Sequence, residues 1–240
     1  MMATVAEPPS RRAEALAGVR VSLAAGLGLF PIGVAFGLLV AQAGLPWWLA
    51  PALSVAVFAG SMELLLVSLV SAGTSLVAIA LATFLVNFRH VFYAFSFPLP
   101  VVRNPAARLY SVYALIDEAY AITAVNPRGW TAPRLLAMQA ALQCYWVGGG
   151  LAGVLAGVLL PGRIEGLDFA LCALFVTLTL DACRGRRQLP SLLLAGLSFS
   201  TALLLVPDSA LFAGLLGFVG ALVLRYLFTR GRGAAEPADA

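Results

Sequence analysis

Arg89 is the residue hardest to place in this chain without a function. It lies with Asn87, Phe88 and His90 inside the stretch from Leu76 to Pro98, which is otherwise almost continuous hydrocarbon. An arginine near the centre of a membrane-spanning helix costs roughly 2.5 to 3.5 kcal/mol on insertion scales, so it belongs against a polar interior rather than lipid. Three carboxylates could answer it: Glu63 and the adjacent pair Asp117 and Glu118. At a helical rise of about 1.5 Å per residue, Glu63 sits about 15 Å inside its apolar stretch and Arg89 about 21 Å inside its own, so their long side chains could meet. One cation cannot neutralise three acids. A protonated carboxyl, entering water or a ligand's ammonium group must make up the difference. A zwitterionic amino acid suits that chemistry, with its carboxylate on arginine or a helix N-terminus, its ammonium on a carboxylate and its side chain on apolar walls. An ion pair that only fixes helix packing is the simpler alternative. His90, the one histidine, serves equally well as a helix-helix hydrogen-bonding group or as part of a working site.

The elements that must hold these residues are membrane-spanning helices. The chain of 240 residues is 61% hydrophobic and 11% charged, with a mean hydropathy of +0.95, where soluble proteins average about 45 to 50% apolar and 25% charged residues. Apolar stretches near 20 residues long follow one another from Val19 to Phe228 with short gaps. The fold class is therefore an all-α integral membrane protein, a polytopic bundle, with helices expected at 19–42, 47–73, 75–98, 134–160, 166–183, 189–206 and 209–229. Residues 1–18 read as a cytoplasmic N-terminal segment, 19–229 as a single transmembrane domain and 230–240 as a disordered tail. The first apolar stretch is longer than a signal-peptide core and reads as a retained helix.

Leu109–Val125 decides the count. It is apolar apart from Asp117, Glu118 and a few hydroxyls. If it crosses, there are eight segments, and Arg11, Arg12, Arg20, Arg128, Arg134, Arg184, Arg186, Arg187, Arg225, Arg230 and Arg232 fall on one side. Only Arg103, Arg108 and Arg163 then fall on the other. If it does not cross, the basic clusters divide between the two faces, which the positive-inside rule disfavours. Eight segments with both termini cytoplasmic is the preferred reading, and seven the alternative.

Small residues mark close helix contacts. Gly33 and Gly37 form one GxxxG pair, and Gly149, Gly153 and Gly157 form two overlapping pairs on one face. Gly26, Gly28 and Pro31 in the first helix, or Ala59, Gly60 and Ser61 in the second, could instead break a helix at mid-membrane, where freed backbone groups hold ions or polar ligands. Gly60-Ser61 is the better candidate because Glu63 follows at once.

Other chemistry is poorly supported. The net charge of +4 comes from arginines at the ends of apolar segments and reports topology, so no nucleic-acid partner is expected. Cys144, Cys172 and Cys183 form no CxxC pair and read as small core hydrophobes, and with a single histidine no metal or cofactor is expected. The chain has no lysine, which excludes a P-loop. Asp168 suits a helix start and Asp181 a pairing with Arg184. Gln139, Gln143, Tyr145 and Trp146 form a polar and aromatic patch that either lines a pathway or bonds across helices. Ser61 with His90 as base would make an intramembrane hydrolase, the weakest alternative, and a non-catalytic scaffold is another.

Six ordered blocks carry a family resemblance: GLGLFPIGVAFG at 26–37, VFAGSMELL at 57–65, FLVNFRHVFYAFS at 84–96, LIDEAYAI at 115–122, YWVGG at 145–149 and GLDFALCALF at 166–175. Together they resemble the AzlC-type family, the large subunit of two-component branched-chain amino acid exporters. The resemblance implies secondary efflux of leucine, isoleucine, valine or related amino acids across the bacterial cytoplasmic membrane, with a small AzlD-type membrane subunit as partner. Carried onto this chain, it favours Gly60, Ser61, Glu63, Asn87, Arg89, His90, Asp117 and Glu118 as the substrate-binding or coupling cluster. Proton coupling is expected, with Arg89 on the substrate carboxylate and Glu63 or Asp117 on its ammonium or a proton.

Overall fold

The structure is a computed structural model, and it describes residues 10–125, 127–160 and 189–233 with isolated positions between 166 and 177. Its described elements are all helical. α1 (Arg11–Gln42) starts at Ser10, whose hydroxyl accepts from the Ala13 N–H at 3.3 Å. α2 (Leu49–Ala56) and α3 (Gly60–Ser71) follow, then α4 (Leu76–Asn87) and the short α5 (His90–Tyr93). α6 (Pro105–Tyr113) is capped by Asn104, and α7 (Asp117–Val125) follows it. α8 (Ala132–Leu159) is capped by Thr131. α9 (Leu189–Leu205) and α10 (Ala210–Gly233) close the described chain. α10 enters the tail expected to be disordered by four residues, and the rest of that tail, like Asp168, Asp181 and Cys183, lies outside the described residues.

Among the described residues four stretches are long and apolar enough to cross a membrane: Arg11–Gln42, Leu76–Tyr93, Ala132–Leu159 and Ala210–Leu227. Gly60–Ser71 and Leu189–Leu205 are shorter apolar helices. The molecule is thus a helical membrane protein.

The chain divides into two compact units, Met1–Ser75 with Val86–Leu167 and Leu76–Leu85 with Asp168–Ala240. The first is organised around α1 and α8. Gly18 abuts Arg134, Gly26 abuts Tyr145, Gly33 abuts Gly149, Gly37 abuts Val154 and Gly157 abuts Ala41. The two residue numbers rise together along the seam, so the helices run parallel. A methyl group on Gly33 would stand 2.8 Å from the Trp146 carbonyl, and one on Gly149 would strike the Phe30 carbonyl. The GxxxG pairs therefore work as packing ridges, which bring two backbones together where lipid supplies no hydrophobic drive. That seam also carries α1 unbroken through Gly26, Gly28 and Pro31, positions at which the sequence allowed a break. In the second unit α9 and α10 form a hairpin around Pro207–Ser209, with the Phe199 ring on Gly214 and Arg225 donating to the Ser191 hydroxyl at 2.7 Å.

Three apolar stretches are interrupted. The helix expected over 47–73 stops after Ala56 and restarts at Gly60, with Phe58 at φ +43° between them. The helix expected over 75–98 breaks after Asn87, because the His90 ring nitrogen Nδ1 lies 2.9 Å from the Asn87 carbonyl and takes it from the helical ladder. The Leu109–Val125 stretch becomes α6 and α7, parted at Ala114–Ile116. Cys144 and Cys172 are exposed rather than in the core, on surfaces that lipid would cover as readily as protein.

Candidate functional site

The interruptions supply the polar groups, and side chains satisfy the backbone they free. In a continuous helix the Val55 carbonyl would accept from the Ala59 N–H. Here Val55 accepts from the Tyr113 hydroxyl at 2.5 Å, and the Ala59 N–H donates to Glu63 Oε1 at 3.0 Å. Glu63 thereby caps α3 from within its first turn, as the acid of a capping box does. At the third break the Gln139 amide of α8 donates to the Ser111 and Ala114 carbonyls at 2.8 and 3.0 Å, while its oxygen accepts from the Ser111 hydroxyl at 2.8 Å. Irregular backbone at membrane depth survives only with such partners. Gln143 extends the network, accepting from Tyr110 at 3.0 Å and donating to the Tyr113 hydroxyl at 2.8 Å.

Two polar centres result. The first is Glu63, fully buried, whose Oε2 accepts from the Ser54 hydroxyl at 2.8 Å and the Trp146 indole N–H at 2.9 Å. Gly60 completes it. A methyl group there would stand 2.9 Å from the Trp146 ring, so only glycine lets α3 start this close to α8. All three groups bonded to Glu63 donate to it.

The second centre is the ion pair of Arg89 and Asp117. Arg89 Nε donates to Oδ1 at 3.1 Å and a terminal nitrogen, Nη2, to Oδ2 at 2.6 Å, the two-point geometry that makes arginine a specific carboxylate binder. The same Nη2 lies 3.3 Å from the Ser61 hydroxyl, one residue past Gly60. Tyr93 donates to Asp117 Oδ1 at 2.8 Å, and His90 Nε2 stands 3.9 Å from that oxygen. The Tyr93 ring stacks on Tyr120 with centroids 4.2 Å apart and planes at 7°, and the Ser96 hydroxyl reaches the Tyr120 hydroxyl at 3.2 Å. The two charged side chains are 43% and 44% exposed, so the pair is open on one side.

Of the eight residues singled out from sequence, Ser61, Arg89, His90 and Asp117 meet in this second centre, and Gly60 and Glu63 in the first. The expected meeting of Arg89 with Glu63 does not occur: among the described residues the partner of Arg89 is Asp117, because Glu63 is turned toward Ser54 and Trp146. Glu118 makes no ion pair there, and the side-chain oxygen of Asn87 is buried with no hydrogen-bond partner. Ser61 meets the guanidinium rather than the imidazole, so it has no base for hydrolysis. Sequence reading passed over Ser54, Tyr93, Tyr113 and Tyr120. The signal for two of them was spacing, since Tyr93 is four residues after Arg89 and Tyr120 three after Asp117, on the same helical faces.

A helical membrane protein that gathers its charged groups where helices break has the build of a transporter. Comparison with known proteins gives that class a family: a family model described as AzlC protein matches residues 24–160, and the chain belongs to the AzlC family. A Helicobacter pylori relative named only as a membrane protein is 30% identical over 65% of this chain and 69% of its own. The branched-chain amino acid transport protein AzlC of Bacillus subtilis is 26% identical over 82% of this chain and 79% of its own. The inner membrane protein YgaZ of Escherichia coli is 25% identical over 76% and 79%. These names agree with a transport protein rather than an enzyme. No solved structure matches the chain.

Proposed function

We propose that this chain is the large subunit of a secondary exporter for branched-chain and related small apolar amino acids, driven by protons across a bacterial cytoplasmic membrane. Arg89 holds the substrate carboxylate, Asp117 its ammonium, and a small AzlD-type membrane subunit is the partner. The observation that carries the reading is the half-exposed Arg89–Asp117 pair at the meeting of interrupted helices. A cation and an anion held side by side have the charge layout of the two ends of an amino acid backbone, and each can exchange its partner for one end of the substrate. Exposed ion pairs contribute only about 0 to 1 kcal/mol, so that exchange costs little. A charged pair cannot be left against lipid, so the open side belongs to an aqueous route or to a ligand. Glu63, held by three donors, fixes the α2–α3 break on which Ser61 sits.

The parallel course of α1 and α8 supports eight crossings. Two parallel spans require an odd number of crossings between them. The α2–α3 and α4–α5 stretches supply two, which leaves α6–α7 as the third; with the 166–183 stretch, expected from sequence to cross, both termini would lie in the cytoplasm, as the arginine distribution favours. The reading is tested by leucine and valine efflux from proteoliposomes of the full chain with its small subunit, with and without a proton gradient. Gradient-dependent efflux of both amino acids is expected, and its absence under every gradient would overturn the proposal.

A further inference from the structure

We propose that Tyr93 is a positioning residue for Asp117, holding its Oδ1 so that Oδ2 alone is traded between Arg89 and a substrate ammonium group. The inference rests on the zwitterion reading of the Arg89–Asp117 pair and adds a residue and a division of labour to it.

Three observations converge on Tyr93. Its hydroxyl donates to Asp117 Oδ1 at 2.8 Å. Its ring lies flat on Tyr120, which stands three residues after Asp117 on α7 and therefore on the same face of that helix. His90 packs edge-on against the Tyr93 ring, at 5.3 Å between centroids and 73° between planes. One side chain of α5 thus grips α7 at two points, by its hydroxyl and by its ring, across two helix interruptions.

The two carboxylate oxygens of Asp117 are consequently unlike. Oδ1 has two donors, Tyr93 at 2.8 Å and Arg89 Nε at 3.1 Å, with His90 nearby, whereas Oδ2 has Arg89 Nη2 at 2.6 Å. When a substrate carboxylate takes the guanidinium, Oδ2 loses its partner while Oδ1 keeps the tyrosine hydroxyl. The freed Oδ2 then faces the ligand's ammonium group without the side chain swinging away. A carboxylate held in one rotamer binds an ammonium more tightly than one that must be ordered on binding. Tyr93 acts on the ammonium end of the ligand only, since the carboxylate end belongs to Arg89.

That asymmetry is measurable. The full chain and its small subunit are reconstituted, and leucine uptake is followed with 4-methylpentanoate, the leucine skeleton without its ammonium group, as competitor. For Tyr93→Phe, which keeps the stacked ring, the half-saturating leucine concentration rises about fivefold to tenfold, within the range of one ordinary hydrogen bond, because Tyr93 reaches the ammonium only through Asp117. The maximal rate stays within about twofold, and the inhibition constant of 4-methylpentanoate, obtained by correcting for the leucine present, stays at its wild-type value. A Tyr93→Phe protein with wild-type half-saturation overturns the inference alone. So does an equal weakening of leucine and of the acid, or a fall in maximal rate at unchanged half-saturation. A wild-type protein that moves no leucine overturns the transport reading and this inference with it.

Discussion

Glu63 shows what a single residue contributes here. Its carboxylate satisfies the Ala59 N–H, the Ser54 hydroxyl and the Trp146 indole, all at a fully buried position. Truncation by Glu63→Ala strands these donors, at about 1 to 3 kcal/mol for each buried group left unsatisfied, and should lower the Tm of the purified protein by several degrees. Trp146→Phe removes one of the three donors, a loss of about 0.5 to 1.5 kcal/mol by the same measurement. A Glu63→Ala protein that melts with the wild type would show that the carboxylate does not fix the break. The sequence marks Glu63 and Arg89 clearly, because a charge in an apolar run is costly wherever its partner lies. It does not say which acid meets Arg89, since depth along a helix is readable but the direction of a side chain around it is not. The bonds of Glu63 to Ser54 and Trp146 turn it away from Arg89 and leave Asp117 as the partner.

Among the elements, α1 was legible from Val19 to Gln42, although it starts eight residues earlier at Arg11, and α6–α7 was not. The small-residue ridges announce the α1–α8 seam through local spacing alone, and the structure sets Gly33 and Gly37 against the Gly149–Val154 turn. Leucine at Gly153 must push the Val34 carbonyl away, so Gly153→Leu should abolish accumulation of folded protein. Gly28→Ala, with open space around it, should be tolerated and shift stability by no more than about 1 kcal/mol, both read by size-exclusion profile and Tm. The first break could be anticipated from Gly60-Ser61 followed by Glu63, residues that sit beside it. The third could not, because its cause is Gln139, 25 residues beyond Ala114 in the chain. Gln139→Leu should therefore destabilise α6–α7, leaving the Ser111 and Ala114 carbonyls unpaired at about 1 to 3 kcal/mol each. Faster hydrogen exchange confined to Ser111–Ala119 is the expected result, and unchanged exchange there would assign those carbonyls other partners.

At the scale of the whole molecule, composition alone identifies a helical membrane protein, while the path of the chain depends on relations between distant helices. Parallel α1 and α8 bring Ser10 and Arg128 to the same end of the α1–α8 seam, and the proposed α6–α7 crossing would put Arg103 on the opposite face. In a background without the three native cysteines, Arg103→Cys should react with a membrane-impermeant thiol reagent from outside intact cells, and Ser10→Cys and Arg128→Cys only after lysis. Labelling of Arg103→Cys and Arg128→Cys from the same side would return the count to seven. The central claim, however, concerns chemistry rather than path: Arg89 and Asp117 hold the two ends of an amino acid. Its most direct test is leucine flux through the reconstituted two-subunit protein carrying Arg89→Ala, at matched amounts of folded protein. Loss of a charge-assisted contact worth about 1.5 to 3 kcal/mol predicts flux at low leucine reduced by about tenfold to a hundredfold. Flux at the wild-type level would contradict the account.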